Sequence, residues 1–245
     1  MQNPIRLIAY VILLLSTSIN ALAEEKNTTP PAPLTHYKGR EIAQTMHYTG
    51  ANWLTRENRQ RQEDCRMMVK NLGVKPGMTV CDMGCGNGFY SLQLAKRVGK
   101  KGKVLAVDIQ SQMLRLLEAR AAEANLKNIV SILGTPTDPK LPENEVDLIL
   151  CVDVYHEFSN PEEMLRAMRN SLKPNGQIVL LEFRMEDPEV PILLLHKMSK
   201  KQIMKELPPN GFKLTKSFDK LPWQHMMFFG RDETFNEDKE ESSEN

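Results

Sequence analysis

An α/β fold of the doubly wound kind, built on a mostly parallel sheet, is the architecture this sequence predicts. Three observations carry it. A strand, a glycine turn and a helix follow one another over residues 79–98. A second strand after that helix ends in a carboxylate, Asp108. A further mainly apolar run, Val146–Val152, again has a polar end. Strands alternating with helical stretches are the pattern of a parallel sheet covered on both faces. At 245 residues with 41% hydrophobic content, the chain suits one such domain with appendages rather than two.

Thr79–Cys81 reads as a short buried strand, and Tyr90–Val98 as a helix with Leu92, Ala95 and Val98 at helical spacing. The turn between them is Gly84-Cys85-Gly86-Asn87-Gly88. Glycines at alternate positions permit positive φ and let the backbone approach a ligand, and the first N–H groups of the next helix lack internal partners. Lys103–Val107 forms the second strand and puts Asp108 where an acidic side chain binds the two hydroxyls of a ribose. The third strand ends near Ile132-Leu133-Gly134, the fourth is Val146–Val152 and the fifth Gln177–Phe183. A helix near Ser199–Leu207 precedes two strands, Phe212–Phe218 and Gln224–Gly230.

A dinucleotide fingerprint has the form G-x-G-x-x-G, whereas here Phe89 stands where its third glycine would be. The observed spacing, with Asp82 just ahead of the turn, suits a smaller zwitterionic group such as the methionine end of S-adenosylmethionine. On these residues, Asp108 and the Leu172-Lys173-Pro174-Asn175-Gly176 turn, the sequence resembles the class I S-adenosylmethionine-dependent methyltransferases. The resemblance is most specific over residues 75–183 and looser to Gly230. It implies a Rossmann-like, mostly parallel seven-stranded sheet with an antiparallel C-terminal strand, and S-adenosyl-L-methionine as cofactor. It implies that Gly84, Gly86 and Gly88 form the cofactor loop, that Asp82 helps hold the methionine amino group, and that Asp108 takes the ribose hydroxyls with Ile109 packing on adenine. Family members often carry an acidic residue past the third strand that binds the adenine amino group; Asp138 is the candidate here, offset by a few residues. Asp153, at the end of the fourth strand, is counted with the cofactor-binding residues.

The two ends differ in kind from the middle. Arg6, an apolar run Leu7–Leu15 and Ala21-Leu22-Ala23 have the form of a secretory signal over residues 1–23, which predicts export, cleavage after Ala23 and no stable membrane span thereafter. Left uncleaved, the same run would be an anchor. Residues 24–36 read as a linker, 37–72 as an N-terminal helical cap, 73–231 as the catalytic domain and 232–245 as a disordered acidic tail. Without the signal and tail, residues 24–231 carry 30 basic and 24 acidic side chains, a net +6. The basic residues are scattered over helices, which favours solvated faces over an anionic partner surface. No nucleic-acid motif with interleaved aromatics is present. Cys81 and Cys151 fall in central strands and Cys85 in the glycine turn, so the thiols read as small buried groups rather than as disulfides or metal ligands.

Ligands of open α/β sheets gather outside the carboxyl ends of the strands, so the Asp153-Val154-Tyr155-His156-Glu157-Phe158 run and Glu182 are acceptor-side candidates. His156 is the candidate general base and Glu157 the group that orients it or binds the acceptor. His196 and Lys197 fall in the right region for acceptor contacts. Ahead of the sheet, Tyr48 and Trp53 are candidates for a water-excluding lid, and Arg56 and Arg59 either bind an anion or lie on a solvated helical face. Trp223, Gln224 and His225 read as packing and edge residues. The chain therefore reads as an exported methyltransferase acting on a small-molecule or lipid-like acceptor, mostly by proximity. Two other readings stay open: a non-catalytic cofactor-binding module on the same fold, and an NAD-dependent oxidoreductase.

Overall fold

A computed structural model of the chain describes residues 30–236. The expected signal segment, most of the linker and the tail beyond Asn236 lie outside the described residues. Ahead of the sheet, β1 (His36–Tyr37) and β2 (Arg40–Glu41) form a hairpin, followed by a 3₁₀ stretch over Tyr48–Thr55, α1 (Arg59–Glu63) and α2 (Cys65–Asn71). The cap expected to be helical from residue 37 thus begins as a hairpin. Its turn, Lys38-Gly39, has two successive positive φ angles, the geometry of a tight two-residue connection.

The domain proper runs β3 (Thr79–Met83), α3 (Phe89–Val98), β4 (Lys103–Asp108), α4 (Ser111–Glu123), β5 (Ile129–Leu133), β6 (Val146–Val152), α5 (Pro161–Ser171), β7 (Leu172–Arg184), β8 (Lys197–Met198), α6 (Lys200–Glu206), β9 (Phe212–Phe218) and β10 (Gln224–Arg231). The main sheet has the order β5-β4-β3-β6-β7-β10-β9, parallel except where β10 runs antiparallel between β7 and β9. The strands alternate between two buried faces. Val80, Leu148, Leu150, Val179 and Leu181 pack on one side; Cys81, Met83, Ile149, Cys151, Ile178 and Leu180 pack on the other. All four cysteines are buried and free.

The strand count corrects the expectation of seven: β8 makes an eighth. The reason lies in β7, which pairs with β6 only as far as Val152↔Leu181 and then runs on through Arg184. β8 fills the exposed edge left there, pairing Phe183↔Lys197 and Arg184↔Met198. Two residues carry no readable periodicity. At the other end of the domain, the tail does not leave the fold at Asp232. Asp232 N–H donates to Gly211 O at 2.8 Å, and the Arg169 guanidinium lies over the Phe235 ring at 5.4 Å.

Chain order reverses between β3 and β6: β4 and β5 lie on one side of β3, while β6 and β7 extend the sheet on the other. A crevice opens outside the carboxyl ends of the strands at such a point, and it is there that the polar strand ends converge.

Candidate active site

A cavity of about 650 Å³ opens at that edge, and Gly84, Gly86, Asp108, Ile109, Asp153, Glu157 and His196 are among the residues that line it. Gly84 and Gly86 have φ of +64° and +52°, which few other residues adopt. A Cβ on Gly84 would stand 2.4 Å from Val154 Cγ2, and one on Gly86 2.5 Å from Leu54 Cδ1, so the backbone comes to the cavity where no side chain fits. Asp108 is buried at the end of β4. Its Oδ2 accepts from Gly86 N–H at 2.9 Å and its Oδ1 from Gln110 N–H at 2.8 Å. Burial raises its carboxyl above the ordinary carboxylate range, against those backbone donors. Ile109 beside it is 42% exposed and offers an apolar face to the cavity.

Other expected cofactor residues stand elsewhere. The carboxylate of Asp82 is set back from the cavity, with Ser91 Oγ donating to its Oδ2 at 2.5 Å, and burial pushes its carboxyl up to about 6. Gly88 caps α3 and packs on Leu117 rather than on the cavity. Asp138 is exposed and turns inward on its own loop, accepting from Lys140 N–H at 2.7 Å, while Thr135 and Pro136 line the wall in its place. Asp153 does face the cavity, in a left-handed conformation with φ of +49°. Its Oδ2 accepts from Gln224 Nε2 at 2.7 Å, and its buried Oδ1 has no partner. Burial, with the Glu63 and Glu182 carboxylates, holds its carboxyl well above the usual range.

The lid is built from other residues than expected. Met46 and Leu54 line the cavity, whereas Trp53 is 45% exposed and stacks under the Arg56 guanidinium at 3.7 Å. Gln110, which the sequence reading missed, pins the lid at two points. Its Oε1 accepts from Tyr48 N–H at 2.9 Å and its Nε2 donates to Met46 O at 2.9 Å. Neither arginine is a free anion site. Arg56 and Arg59 both pair with buried Glu63, and Arg59 lies over the rings of Phe89 and Tyr90.

On the acceptor side the expected base is not at the surface of the cavity. His156 is 2% exposed; its Nδ1 lies 2.7 Å from Glu182 Oε2 and its Nε2 3.1 Å from His196 Nδ1. Burial opposes its charged form, but the Glu182 carboxylate outweighs it and raises the imidazole above its ordinary value. Glu182 is fully buried, its Oε1 accepting from Tyr155 N–H at 3.0 Å. Glu157 and His196 are the groups that face the cavity. Burial pushes Glu157 up to about 7, against His156 and the Met46 backbone, and burial together with His156 lowers His196. Tyr155 packs beneath the loop with its hydroxyl donating to Glu206 Oε2 at 2.7 Å, and Lys197 is buried with its ammonium on Asp187 O at 3.0 Å.

A parallel sheet with an antiparallel strand near its C-terminal edge, a glycine cradle after its first parallel strand and a carboxylate ending the next define a class I, Rossmann-like S-adenosylmethionine-dependent methyltransferase. Residues 74–231 match the family described as Methyltransferase domain, and the chain belongs to it. Among curated relatives, the ubiquinone/menaquinone biosynthesis C-methyltransferase UbiE of Shewanella baltica is 28% identical over 155 residues, 63% of this chain and 60% of the relative. The chain therefore spans about three fifths of the length of the curated relatives it matches. Among solved structures, an S-adenosylmethionine-dependent methyltransferase from Aquifex aeolicus is 26% identical with a TM-score of 0.71, covering 76% of this chain and 98% of that one. The YcgJ protein of Bacillus subtilis, 19% identical with a TM-score of 0.52 over 63% of this chain and 69% of its own, shares the fold. The cofactor is S-adenosyl-L-methionine, and the residues present fit it. The cradle at Gly84 and Gly86 excludes a Cβ, and Asp153, which lines the cavity, has a buried oxygen, Oδ1, without a partner.

Proposed function

We propose that the chain methylates a ring carbon of a small aromatic, quinol-type acceptor that enters the cavity from the side of Glu157 and His196. The observation that carries this reading is that one cavity is lined both by Asp108 and Ile109 and by Glu157 and His196. The apolar residues Leu34, Phe158, Met164 and Leu195 line the same space, as a flat ring requires. The carbon specificity is borrowed from the C-methyltransferase relatives.

When bound, the cofactor would supply an electrophilic methyl group on a sulfonium, with S-adenosylhomocysteine and the acceptor's displaced proton released as products. Every other contribution belongs to the chain. Gly84 and Gly86 would admit the methionine end, and the Asp153 carboxylate would hold its amino group. Asp82 supports that end from behind, by tying β3 to α3 through Ser91. Asp108 would take the ribose hydroxyls, and Ile109 would pack on the base. Met46 and Leu54, pinned by Gln110, exclude water. Glu157 and His196 seat the acceptor's oxygen, and His156 holds His196. Bringing carbon and methyl to near-attack distance accounts for most of the rate.

The test is transfer of a tritiated methyl group to naphthoquinols that lack the ring methyl, with the product identified by mass spectrometry. Carbon-linked product supports the reading. Label on oxygen, or none from a chain that binds the cofactor, overturns the acceptor.

A further inference from the structure

The acceptor end holds ligand atoms that positioning alone does not require. His156 Nε2 and His196 Nδ1 lie 3.1 Å apart, and one ring nitrogen of each histidine and a carboxylate oxygen of Glu157 all fall within 4.8 Å of one another. Two imidazole nitrogens bound to one tetrahedral ion at about 2.0–2.1 Å stand about 3.3 Å apart, so the pair is already at ligand spacing. Glu157 and His196 are half-buried on the cavity wall, where rotation of their side chains can close the remainder.

The far side of His156 is organised in the same sense. Its Nδ1 sits 2.7 Å from Glu182 Oε2, and the other oxygen of that fully buried carboxylate is engaged by Tyr155 N–H. With Nδ1 engaged by the Glu182 carboxylate, Nε2 is the ring nitrogen left to face His196. A carboxylate behind a histidine is the arrangement that fixes ring and tautomer for a metal. The parts come from three places in the chain: His156 and Glu157 follow β6, Glu182 lies on β7 and His196 precedes β8. Only the folded sheet edge assembles them.

We propose that His156, His196 and Glu157 bind one divalent first-row transition-metal ion such as zinc, with its open positions facing the acceptor space. Two imidazoles and one carboxylate suit such an ion, whereas magnesium and calcium take oxygen ligands. Binding follows from these side chains alone. Its use rests on the function proposed above: an ion there would hold the acceptor's oxygen and ease loss of its proton, as a Lewis acid does.

The test takes the tag-free chain, stripped with a chelator, and titrates it with cobalt(II) while visible d–d absorption is followed, then displaces cobalt with zinc. One equivalent of cobalt with a nitrogen-ligated spectrum is expected. His196→Ala and Glu157→Gln should each weaken binding by about tenfold or more. S-adenosylhomocysteine affinity within about threefold of the unaltered chain shows that each variant is folded. No cobalt band from a chain that binds S-adenosylhomocysteine, or binding that both substitutions leave unchanged, overturns the proposal and leaves a hydrogen-bonded histidine pair. Cobalt binding that depends on both side chains, without S-adenosylhomocysteine binding, supports the metal site while removing the methyl-transfer reading.

Discussion

Asp108 accepts a backbone N–H on each oxygen, from Gly86 and from Gln110, and lines the cavity. Asp108→Ala should therefore weaken S-adenosylmethionine binding by about tenfold or more, roughly 1.4 kcal/mol, by calorimetry; unchanged affinity in a folded variant would remove it from the site. Asp82 makes a different prediction. Its folded value of about 6 lies above the ordinary 3.8, so the folded state holds the proton more tightly and stability falls as pH rises through that window. Asp82→Asn removes this penalty. Thermal melts should show the variant gaining on the unaltered chain between about pH 4 and pH 7, by on the order of 2–3 kcal/mol; parallel curves would contradict it. Asp108 was legible in the sequence because a strand and its following turn fix it locally. Asp82 was legible as a position but not in its role, since Ser91 Oγ reaches it only once α3 docks on β3. Asp138 failed because its loop folds back on itself.

The elements around the cavity differ in how they are held. The Tyr48–Thr55 stretch is attached through Gln110, whose side chain bridges Tyr48 N–H and Met46 O. Gln110→Ala should speed hydrogen exchange at the Tyr48 amide by about tenfold, leaving β3 and β6 protected; an unchanged rate would mean that the lid is held elsewhere. The next attachment is electrostatic and buried. Glu63, 1% exposed, pairs with Arg56 and Arg59, and Glu63→Ala should cost about 3–5 kcal/mol in denaturant unfolding because it strands buried Arg59. A loss below about 1 kcal/mol would place this network among weak surface pairs. β3, β4, β6 and α3 were legible from apolar runs and helical spacing, with ends correct to a residue or two, whereas β7 starts at Leu172, five residues before the expected strand, and takes in the Leu172–Gly176 segment that reads as a turn. The hairpin at Lys38-Gly39 was not legible, because its strands are only two residues each and carry no readable alternation; β8 and the pinning of the lid were not, because each depends on partners distant in the chain.

Across the whole molecule, the sheet order puts Asp108, Asp153, Glu157 and His196 around one cavity, although 88 positions separate the first from the last. The methyltransferase class was legible from the glycine turn and Asp108. The lining of the acceptor side was legible only as a neighbourhood: the sequence pointed to His156, whereas the fold buries it and presents His196. Among the described residues no helix is long and apolar enough to cross a membrane. We propose export, on the form of residues 1–23; mass spectrometry of the chain from its native host should then find Glu24 first, and a retained Met1 would contradict cleavage. The central claim is that this cavity is an S-adenosylmethionine site, and calorimetric titration of the purified chain with S-adenosylmethionine, S-adenosylhomocysteine and NAD tests it most directly. Binding of the first two and none of NAD is expected; binding of NAD alone, or of none of the three, would overturn the assignment.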